Sequence, residues 1–440
     1  MQPPTIEPEV RPPTTQESLR GTRNEPSGRL GALLRVSTFR AFSYPQFRLL
    51  WYGNVSNSIA MWMDQVARGW LMYELTNSAV QLGAVTAIRA IPLLLLSPIA
   101  GAMADQYGRR RQLIITQAVN AALYAILAVL IILHLVEPWH VYAVAIGSGI
   151  VQVFQGPARQ AMTSEAVEPR DITNAIGVSS IAFNGSRTIG PAIAGVLIAV
   201  VGTGGSYAVQ SALYVLATIW TVQLHPAWDS DPANGKGKPR GSLLSSTLEG
   251  WRFVRSDETV RTGMVILMMA ALLAQPFGTL LPIFAKDILQ AGSTGQGLLL
   301  TAMGIGAMLS AVLIASLGDR LPKGYLMVGG AFVYGSMLIA FAFSEWFVVS
   351  MALMVLIGLA NVFCNALVQT VVQTHAPSEI RGRVMGVFQQ RDLFNTAGSM
   401  MIGVLAAAWG APWATASMAG LCALGAVIIF FAIPHIRKIR

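Results

Sequence analysis

The feature that most restricts the fold of this chain is a series of apolar runs. A helix that crosses a bilayer needs about 20 mostly apolar residues, and more when it is tilted. Twelve stretches have this character: 47–72, 79–104, 113–133, 140–163, 172–201, 206–224, 262–285, 295–317, 325–343, 347–374, 380–409 and 413–433. Only 12% of the residues are charged, whereas a soluble domain carries roughly 25%. The pattern predicts an all-α membrane protein with twelve transmembrane helices.

The basic residues between the runs predict the orientation. If the N-terminus is cytoplasmic, nearly all the lysines and arginines between runs fall on the cytoplasmic side, and Lys286 falls on the other. Cytoplasmic loops of membrane proteins are enriched in these residues. We therefore expect a multi-pass protein of the plasma membrane with both termini cytoplasmic. The same loops explain the net charge of +9 without a nucleic-acid partner.

A polar stretch, 225–261, divides the runs into two sets of six. It contains SDPANGKGKPRG, a composition typical of a linker. The SLLSSTLEGWRFVRS that follows predicts a short amphipathic helix on the inner membrane surface. We expect six-helix bundles over 47–224 and 262–433. A disordered cytoplasmic tail is expected over 1–46, and a short cytoplasmic tail over 434–440.

The two sets of runs resemble each other. GAMADQYGR aligns with ASLGDRLPKG, which places Asp105 on Asp319. Further along, EPRDI at 168–172 aligns with APSEI at 376–380, and the same spacing places Gly195 on Gly403 and Gly202 on Gly410. Such duplication is typical of transporters that bind their substrate between two halves, near the bilayer midplane.

The segment GAMADQYGRRR, at 101–111, resembles the signature loop between the second and third helices of the major facilitator superfamily. The residues that match are Gly101, Asp105, Gly108, Arg109 and Arg110, and Gln106 replaces the usual basic residue. The resemblance implies two pseudo-symmetric six-helix bundles and a loop that latches them in one conformation, with a degraded copy of the motif at Asp319. The alternative is that the loop serves only as a topology anchor.

A second resemblance concerns the branch of the superfamily. The segment 154–195 is similar to the fourth and fifth helices of the enterobactin-exporter and macrolide-efflux group. Gly190-Pro191 followed by Ala194-Gly195 approximates the signature of exporters in the superfamily. Where a family motif in the fourth helix has arginine, this chain has Gln152.

Charged residues inside the runs are candidates for the transport pathway, because one ionised group at the bilayer centre costs at least about 2.5–3.5 kcal/mol. Asp64 and Arg68 are four residues apart and can pair on one helix. The alternative is that Asp64 faces the cavity and carries a proton. Arg89 lies at a similar depth, so that pairing with Asp64 and contact with substrate are both open.

Other polar residues within the runs extend this pathway. Nothing near Arg187 in sequence neutralises it, and we expect it and Asn184 in the cavity. The remaining candidates are Gln152 and Gln155, which share a face of their helix, Asn361 and Asn365, for which hydrogen bonding between helices is the alternative, and the cluster of Arg391, Asp392 and Asn395. In this cluster Arg391 and Asn395 share a face, whereas adjacent Arg391 and Asp392 point about 100° apart and are expected to be poor partners. For the last cluster, the alternative is a salt bridge between helices. Gln275-Pro276 in the seventh run predicts a kink. Trp62 is interpreted with other tryptophans as part of an interfacial belt.

Three functional classes remain. The first is a proton-coupled exporter of small amphiphilic compounds such as drugs or siderophores. The second is a proton-coupled importer of a small polar or anionic metabolite, and the third is a membrane sensor without transport. We expect a monomer that is not an enzyme and has no cofactor and no metal, since no phosphate-binding loop, metal-ligand spacing or catalytic triad is present in the sequence. The identity of the substrate is not encoded in any motif.

Overall fold

The computed structural model describes residues 37–106, 108–224, 243–317, 323–377 and 380–433, and this part of the chain is helical without any β-strand. The longer α-helices, in chain order α1 to α13, are Pro45–Thr76, Ala79–Gln106, Arg109–Ile132, Pro138–Glu165, Ile172–Val222, Leu243–Ser256, Glu258–Leu273, Gly292–Leu317, Lys323–Ala342, Phe347–His375, Arg381–Gln389, Arg391–Trp409 and Ala411–Ala432.

Within the described residues, eight helical stretches are long and apolar enough to cross a membrane. One of them, Pro169–Val222, has 54 residues, about twice the length that a single crossing needs. Two further helices, α1 and α12, carry charged residues among their apolar ones. The apolar composition expected from the sequence is thus organised as a multi-pass helical protein.

Glycines with positive φ angles interrupt the helices at two corresponding points. Gly202, inside α5, has φ 74° and ψ 172°. Gly410, between α12 and α13, has φ 83° and ψ 157°. Only glycine adopts this backbone conformation readily, because a Cβ atom disfavours positive φ. The internal repeat pairs these two glycines, and they share one conformation and one role as the break between consecutive helices.

The helix that follows α6 is also broken, beside a proline. α7 ends at Leu273, and the chain continues as a 3-10 turn over Gln275–Leu280 and a π turn over Phe284–Ile288. Pro276 lacks an amide hydrogen and cannot continue an α-helix without a lost hydrogen bond. The kink expected at Gln275-Pro276 is confirmed.

Helix packing places the apolar core in separate clusters. One cluster is formed almost wholly by residues between 254 and 429, and a second by residues between 60 and 214. α1 packs on α5 and α2 on α4, whereas α8 packs on α10 and α9 on α13. The two sets meet where α5 packs on α8 and α2 packs on α12.

Residues 1–46 are predicted to be a disordered tail, but the last residues of that range are folded. Ser37–Ser43 forms a 3-10 helix, and the amide of Ala41 donates to Asn174 Oδ1 at 2.9 Å. The hydroxyl of Tyr44 donates to Asp171 Oδ2 at 2.8 Å. Ala41 and Tyr44 are fully buried, so apolar contacts and buried hydrogen bonds hold a segment whose sequence lacks helical periodicity.

The predicted amphipathic helix of the linker corresponds to α6. Val254 is buried in the core, and Trp251 Nε1 donates to Gln390 Oε1 at 3.1 Å. Arg383 and Glu249 form an ion pair between α11 and α6. Leu248 remains 54% exposed. This helix therefore packs mainly on α11, and only part of its apolar face is left for a membrane surface.

Candidate transport site

A polar cavity of about 310 Å³ lies where α1, α2 and α4 meet α8, α12 and the broken segment after α7. Several of the residues that line it carry amide or guanidinium groups: Gln65, Arg68, Arg89, Gln152, Gln275, Gln296 and Asn395. Gln275, Gly278 and Thr279 reach the cavity because the chain is not α-helical there. The cavity thus joins residues from both sets of helices.

Asp64 is the centre of an ion-pair network at this cavity. Its Oδ2 atom lies 3.1 Å from Arg68 Nη1 and 3.4 Å from Arg89 Nη1. Asp64 is 1% exposed, while both arginines line the cavity. The expected pairing of Asp64 with Arg68 is thus present together with the contact across helices to Arg89. One carboxylate faces two cations, so the network carries an excess of positive charge.

The amides of α4 take two different positions. Gln152 is exposed to the cavity and accepts a hydrogen bond from Arg89 Nη2 at 2.9 Å. Gln155 is buried, and its Nε2 donates to Asn57 Oδ1 at 2.8 Å. Gln152 therefore belongs to the Asp64 network, whereas Gln155 connects α4 to α1.

Arg187 and Arg159 lie at the two ends of a row of rings. The Arg187 guanidinium lies 5.5 Å from the centre of the Trp62 ring, and that of Arg159 lies 6.0 Å from the centre of the Phe183 ring. Trp62 and Phe183 contact each other edge to face at 5.8 Å. We call these four residues the arginine–aromatic row. Trp62 lines the central cavity, so its interpretation as part of an interfacial belt is wrong.

The two arginines of this row have no carboxylate within ion-pair distance in the described parts of the chain. A cation–π contact contributes about 0.5–1 kcal/mol when exposed and about 2 kcal/mol when desolvated. A charged residue at the centre of a bilayer costs at least about 2.5–3.5 kcal/mol. For Arg187, which lies in the middle of the part of α5 before Gly202, the rings therefore offset only part of this cost.

A second cavity, of about 580 Å³, adjoins this row. It lies between α1, α4 and α5, and Arg159, Phe183 and Asn184 line it. Asn184 is exposed there, and its Nδ2 donates to the carbonyl of Ser180 at 2.9 Å. Asn184 thus lines a cavity as expected, although this cavity is distinct from the central one. Arg187, expected there as well, lines neither of these two cavities and contacts the central one only through Trp62.

The polar cluster of α12 is split between two environments. Arg391 Nη1 donates to Asn365 Oδ1 at 3.3 Å, and Asn365 Nδ2 donates to the carbonyl of Asn361 at 2.8 Å. Arg391 Nε also lies 3.5 Å from Asp392 Oδ1. The expectation that adjacent Arg391 and Asp392 are poor partners is wrong, because the long arginine side chain turns back on its neighbour. Asn395 reaches the central cavity.

The signature loop is described only in part. Gly108 precedes α3 with φ −50°, Arg109 pairs with Glu165 of α4, and Arg110 Nη2 donates to the carbonyl of Val222 at 2.6 Å. Gly101 and Asp105 belong to the end of α2. The side chain of Asp105, and Asp319 as a whole, lie outside the described residues. The described contacts of this loop join α3 to α4 and α5, within the amino-terminal set of helices.

At two points, which we call the glycine crossings, a pair of helices cross in close contact at glycine residues. They close the end of the cavity at which α2 and α8 begin, opposite the signature loop. A Cβ atom on Gly195 would lie 2.5 Å from the Ser293 carbonyl oxygen, and one on Gly297 would lie 2.5 Å from that of Pro191. At the other crossing, a Cβ on Gly83 would lie 2.5 Å from the Ser399 oxygen. One on Gly403 would lie 2.7 Å from the Ala79 oxygen. The backbones can approach so closely only because these side chains are absent.

The crossings correspond to each other in the internal repeat. The repeat places Gly195 on Gly403, and the offset that aligns Asp105 with Asp319 also aligns Gly83 with Gly297. Sequence reasoning identified Gly195 and Gly403 as a repeated pair without assigning them a contact. The signal for the contact was that each of the two pairs of repeated helices has glycine at a corresponding position.

Polar contacts reinforce closure at the same end. The hydroxyl of Tyr73, near the end of α1, donates to Asp287 Oδ2. Lys286 lies 5.1 Å from the centre of the Tyr73 ring, and its Nζ donates to Asn77 Oδ1 at 3.2 Å. The end of α1 is therefore tied to the π turn before α8, a connection that sequence reasoning missed because more than 200 residues separate the partners.

Comparison with known proteins agrees with this architecture. Residues 36–439 match the model of a family described as transmembrane secretion effectors, of the major facilitator superfamily. The chain is 25% identical over 393 residues to the staphyloferrin A transporter of Staphylococcus aureus, covering 89% of this chain and 95% of that protein. It is 28% identical over 390 residues to the multidrug efflux pump Tap of Mycolicibacterium fortuitum, covering 85% and 92%.

One further relative supports the same assignment, and a solved structure shows the same fold. The enterobactin exporter EntS of Escherichia coli is 23% identical over 414 residues, covering 93% of this chain and 96% of that protein. Among solved structures, the nucleoside transporter NupG superposes with a TM-score of 0.73 at 14% identity, covering 88% of this chain and all of that one. The chain therefore belongs to the transmembrane secretion effector family of the major facilitator superfamily, and it is a multi-pass secondary transporter of the membrane and not an enzyme.

Proposed function

We propose that this protein is a proton-coupled exporter that moves small amphiphilic compounds, such as drugs or siderophores, by alternating access. The observation that carries the proposal is a polar cavity between two sets of helices, closed at one end by repeated glycine crossings, with a buried aspartate beside it. The names of several relatives, which are efflux pumps or exporters, support export in particular. Its partners are then a small molecule, protons and the bilayer, with no nucleic acid.

The architecture that we propose has twelve transmembrane helices in two six-helix bundles, over 47–224 and 262–433. The matching breaks at Gly202 and Gly410 and the two related glycine crossings support this division. The linker over 225–261 and both termini are cytoplasmic in this proposal, in keeping with the basic loops. The cavity then opens toward the cytoplasm, since the closed end lies opposite the N-terminus of α1. We expect the protein to act as a monomer.

Asp64 is the proton carrier that the geometry favours. Its carboxylate holds Arg68 and Arg89 near one another, at 3.1 and 3.4 Å. Protonation would remove the charge that binds both cations and would release Arg89, a cavity-lining residue, for other contacts. Only a ligand that binds two conformations differently can shift their populations, and a proton on Asp64 meets this condition. Asp392, whose side chain is 53% exposed, is the second candidate.

The signature loop over 101–111 is proposed to latch the cytoplasmic end when the cavity opens to the other side. Gly101, Asp105, Gly108, Arg109 and Arg110, together with Asp319, form this latch. Replacing Asp105 with Asn should lower transport while leaving membrane insertion intact. Full transport by that variant would leave the loop as a topology anchor only.

The proposal is tested with the purified protein in liposomes that report internal pH. An acidic interior should drive accumulation of an antiporter substrate, and each addition of a transported compound should release protons. Ethidium, chloramphenicol and naphthalene-2-sulfonate provide a cationic, a neutral and an anionic aromatic compound. Compound-dependent proton release that disappears in Asp64→Asn would support Asp64 as the carrier, and loss in Asp392→Asn instead would assign it there.

Glu258→Gln is the matched control, since Glu258 is an exposed acid at the start of α7, away from the cavity. Proton release by none of the three compounds would count against a proton-coupled exporter.

Import of a small anionic metabolite is the second candidate function. The excess of arginines at the cavity is the observation that favours it. The direction of transport is tested by comparing substrate uptake into inverted vesicles with uptake into right-side-out vesicles. An exporter accumulates substrate in inverted vesicles, and an importer accumulates it in right-side-out vesicles. A membrane sensor without transport predicts no flux in either.

A further inference from the structure

Four residues form a continuous row on one side of the pathway, with two aromatic rings between two arginines. Arg187 contacts the ring of Trp62, Trp62 contacts Phe183, and Phe183 contacts Arg159. None of the four is supplied by the carboxyl-terminal set of helices, so the row does not depend on how the two sets are arranged. An acid partner is missing for either arginine in the described parts of the chain.

The row runs along the pathway. Because an α-helix rises about 1.5 Å per residue, Arg159 lies about 9 Å from the end of α4. By the same measure, Arg187 lies about 22 Å from the start of α5, at the same end of the molecule. The row therefore extends from the middle of the helices toward the end at which α4 finishes and α5 begins.

The row also connects the two cavities. Trp62 lines the central cavity, and Phe183 and Arg159 line the second one. The contact between Trp62 and Phe183 thus lies between the two cavities. The buried Nε1 atom of Trp62 has no hydrogen-bond partner, so an unused donor is present at this point.

The chemistry of these groups selects one class of ligand. Guanidinium groups bind carboxylates, sulfonates and phosphates through paired N–H donors, and an unpaired buried cation favours an anion over a cation or a neutral molecule. Flat aromatic faces in the same row favour a ligand with a ring. A cationic drug would meet Arg68, Arg89 and Arg159 in the linings of the two cavities, where the described residues provide no acid.

We propose that the transported compound is an aromatic organic anion and that the arginine–aromatic row is its path between the two cavities. This inference rests on the proposed export function and specifies its substrate class. Arg187, which contacts Trp62 of the central cavity, binds the anionic group at one end of the row, and Arg159, which lines the second cavity, receives it at the other end. Trp62 and Phe183 stack on its ring between these positions.

The test compares two probes of nearly equal shape and opposite charge in liposomes containing the full-length protein. One is naphthalene-2-sulfonate, and the other is the trimethylammonium derivative of the same ring. Both charges are permanent, so neither probe crosses the bilayer by changing its protonation. We expect the wild type to accumulate the sulfonate at least tenfold faster than the ammonium compound.

Substitutions within the row give the second arm. Arg187→Gln and Arg159→Gln should each lower sulfonate transport at least tenfold and leave ammonium transport unchanged or raised. Arg187→Lys should restore part of the sulfonate transport, because the positive charge is kept. Arg252→Gln is the matched control, since Arg252 is exposed on α6 outside the row.

The outcomes separate this inference from the export function itself. Transport of the ammonium probe without the sulfonate would overturn the substrate class and leave the exporter standing. Equal loss of both probes in the arginine variants would mean that these residues only maintain the fold. Sulfonate transport unaffected by either glutamine variant would remove the row as the path. Transport of neither probe would count against the exporter and the inference together.

Discussion

The glycine crossings make a specific prediction about the conformational equilibrium. In Gly195→Ala, the new Cβ atom would lie 2.5 Å from the Ser293 carbonyl oxygen. This distance is too short for a carbon and an oxygen that are not bonded, so the two helices must move apart. Overpacking of this kind costs typically about 1–3 kcal/mol, and the cost falls only on the conformation in which α5 and α8 touch. The ratio of closed to open molecules at this end should therefore fall by about 5- to 150-fold.

The change can be measured as a distance between spin labels. Leu135 and Glu345 are exposed and lie in connections at the closed end, one in each set of helices. Cysteines at these positions can be labelled while Cys364 and Cys422 stay buried. The distance distribution should gain a longer component in Gly195→Ala, and the same should hold for Gly403→Ala at the related crossing.

The matched control lies on the same helix. A Cβ atom on Gly185 would meet nothing within 4 Å, and Gly185→Ala changes helix propensity by the same amount as Gly195→Ala. The control should leave the distance distribution as it is in the wild type. An unchanged distribution in Gly195→Ala itself would refute the view that these contacts hold the end closed.

Three further predictions concern single side chains. Tyr73→Phe removes the hydrogen bond to Asp287 and should also shift the spin-label distances toward opening, by a free energy of about 1.5–3 kcal/mol; no shift would mean that the bond contributes nothing to closure. Asp64→Asn leaves two arginines without their acid and should lower the free energy of unfolding in detergent by about 3–5 kcal/mol, whereas an unchanged melting temperature would contradict the ion-pair network. Burial and then the hydrogen bond to Asp171 raise the pKa of Tyr44 from 10 to about 12. The contribution of Tyr44 to the free energy of unfolding is therefore complete below pH 10 and is lost as the pH rises through 12. In Tyr44→Phe the melting temperature should depend less on pH over that range, and a pH profile identical to that of the wild type would contradict this.

Local patterns predicted the parts of the molecule that depend on nearby residues. Asp64 and Arg68 are one helical turn apart, so their pairing follows from helix geometry alone. Pro276 predicted the kink after α7 because its chemistry prevents a continued helix. The run lengths and basic loops likewise predicted a multi-pass membrane protein, which membership of a transporter family confirms.

Contacts between distant helices could not be predicted in this way. Trp62 and Arg187 are far apart in sequence, and nothing in the pattern distinguishes a tryptophan at the cavity from one at the membrane interface. The same limit applies to Tyr73 and Asp287. The 3-10 segment before α1 was missed because its stability comes from packing against α5, through Asn174, and not from its own propensity.

The position of the glycine crossings near one end of their helices determines how far the other end can move. Because an α-helix rises about 1.5 Å per residue, α2 continues for about 35 Å beyond Gly83. A rotation of about 10° about that crossing would move the far end of the helix by about 6 Å. Each crossing is thus a pivot near one end of a long helix. A rotation small enough to preserve most side-chain packing at the crossing can admit or exclude an aromatic molecule at the far end.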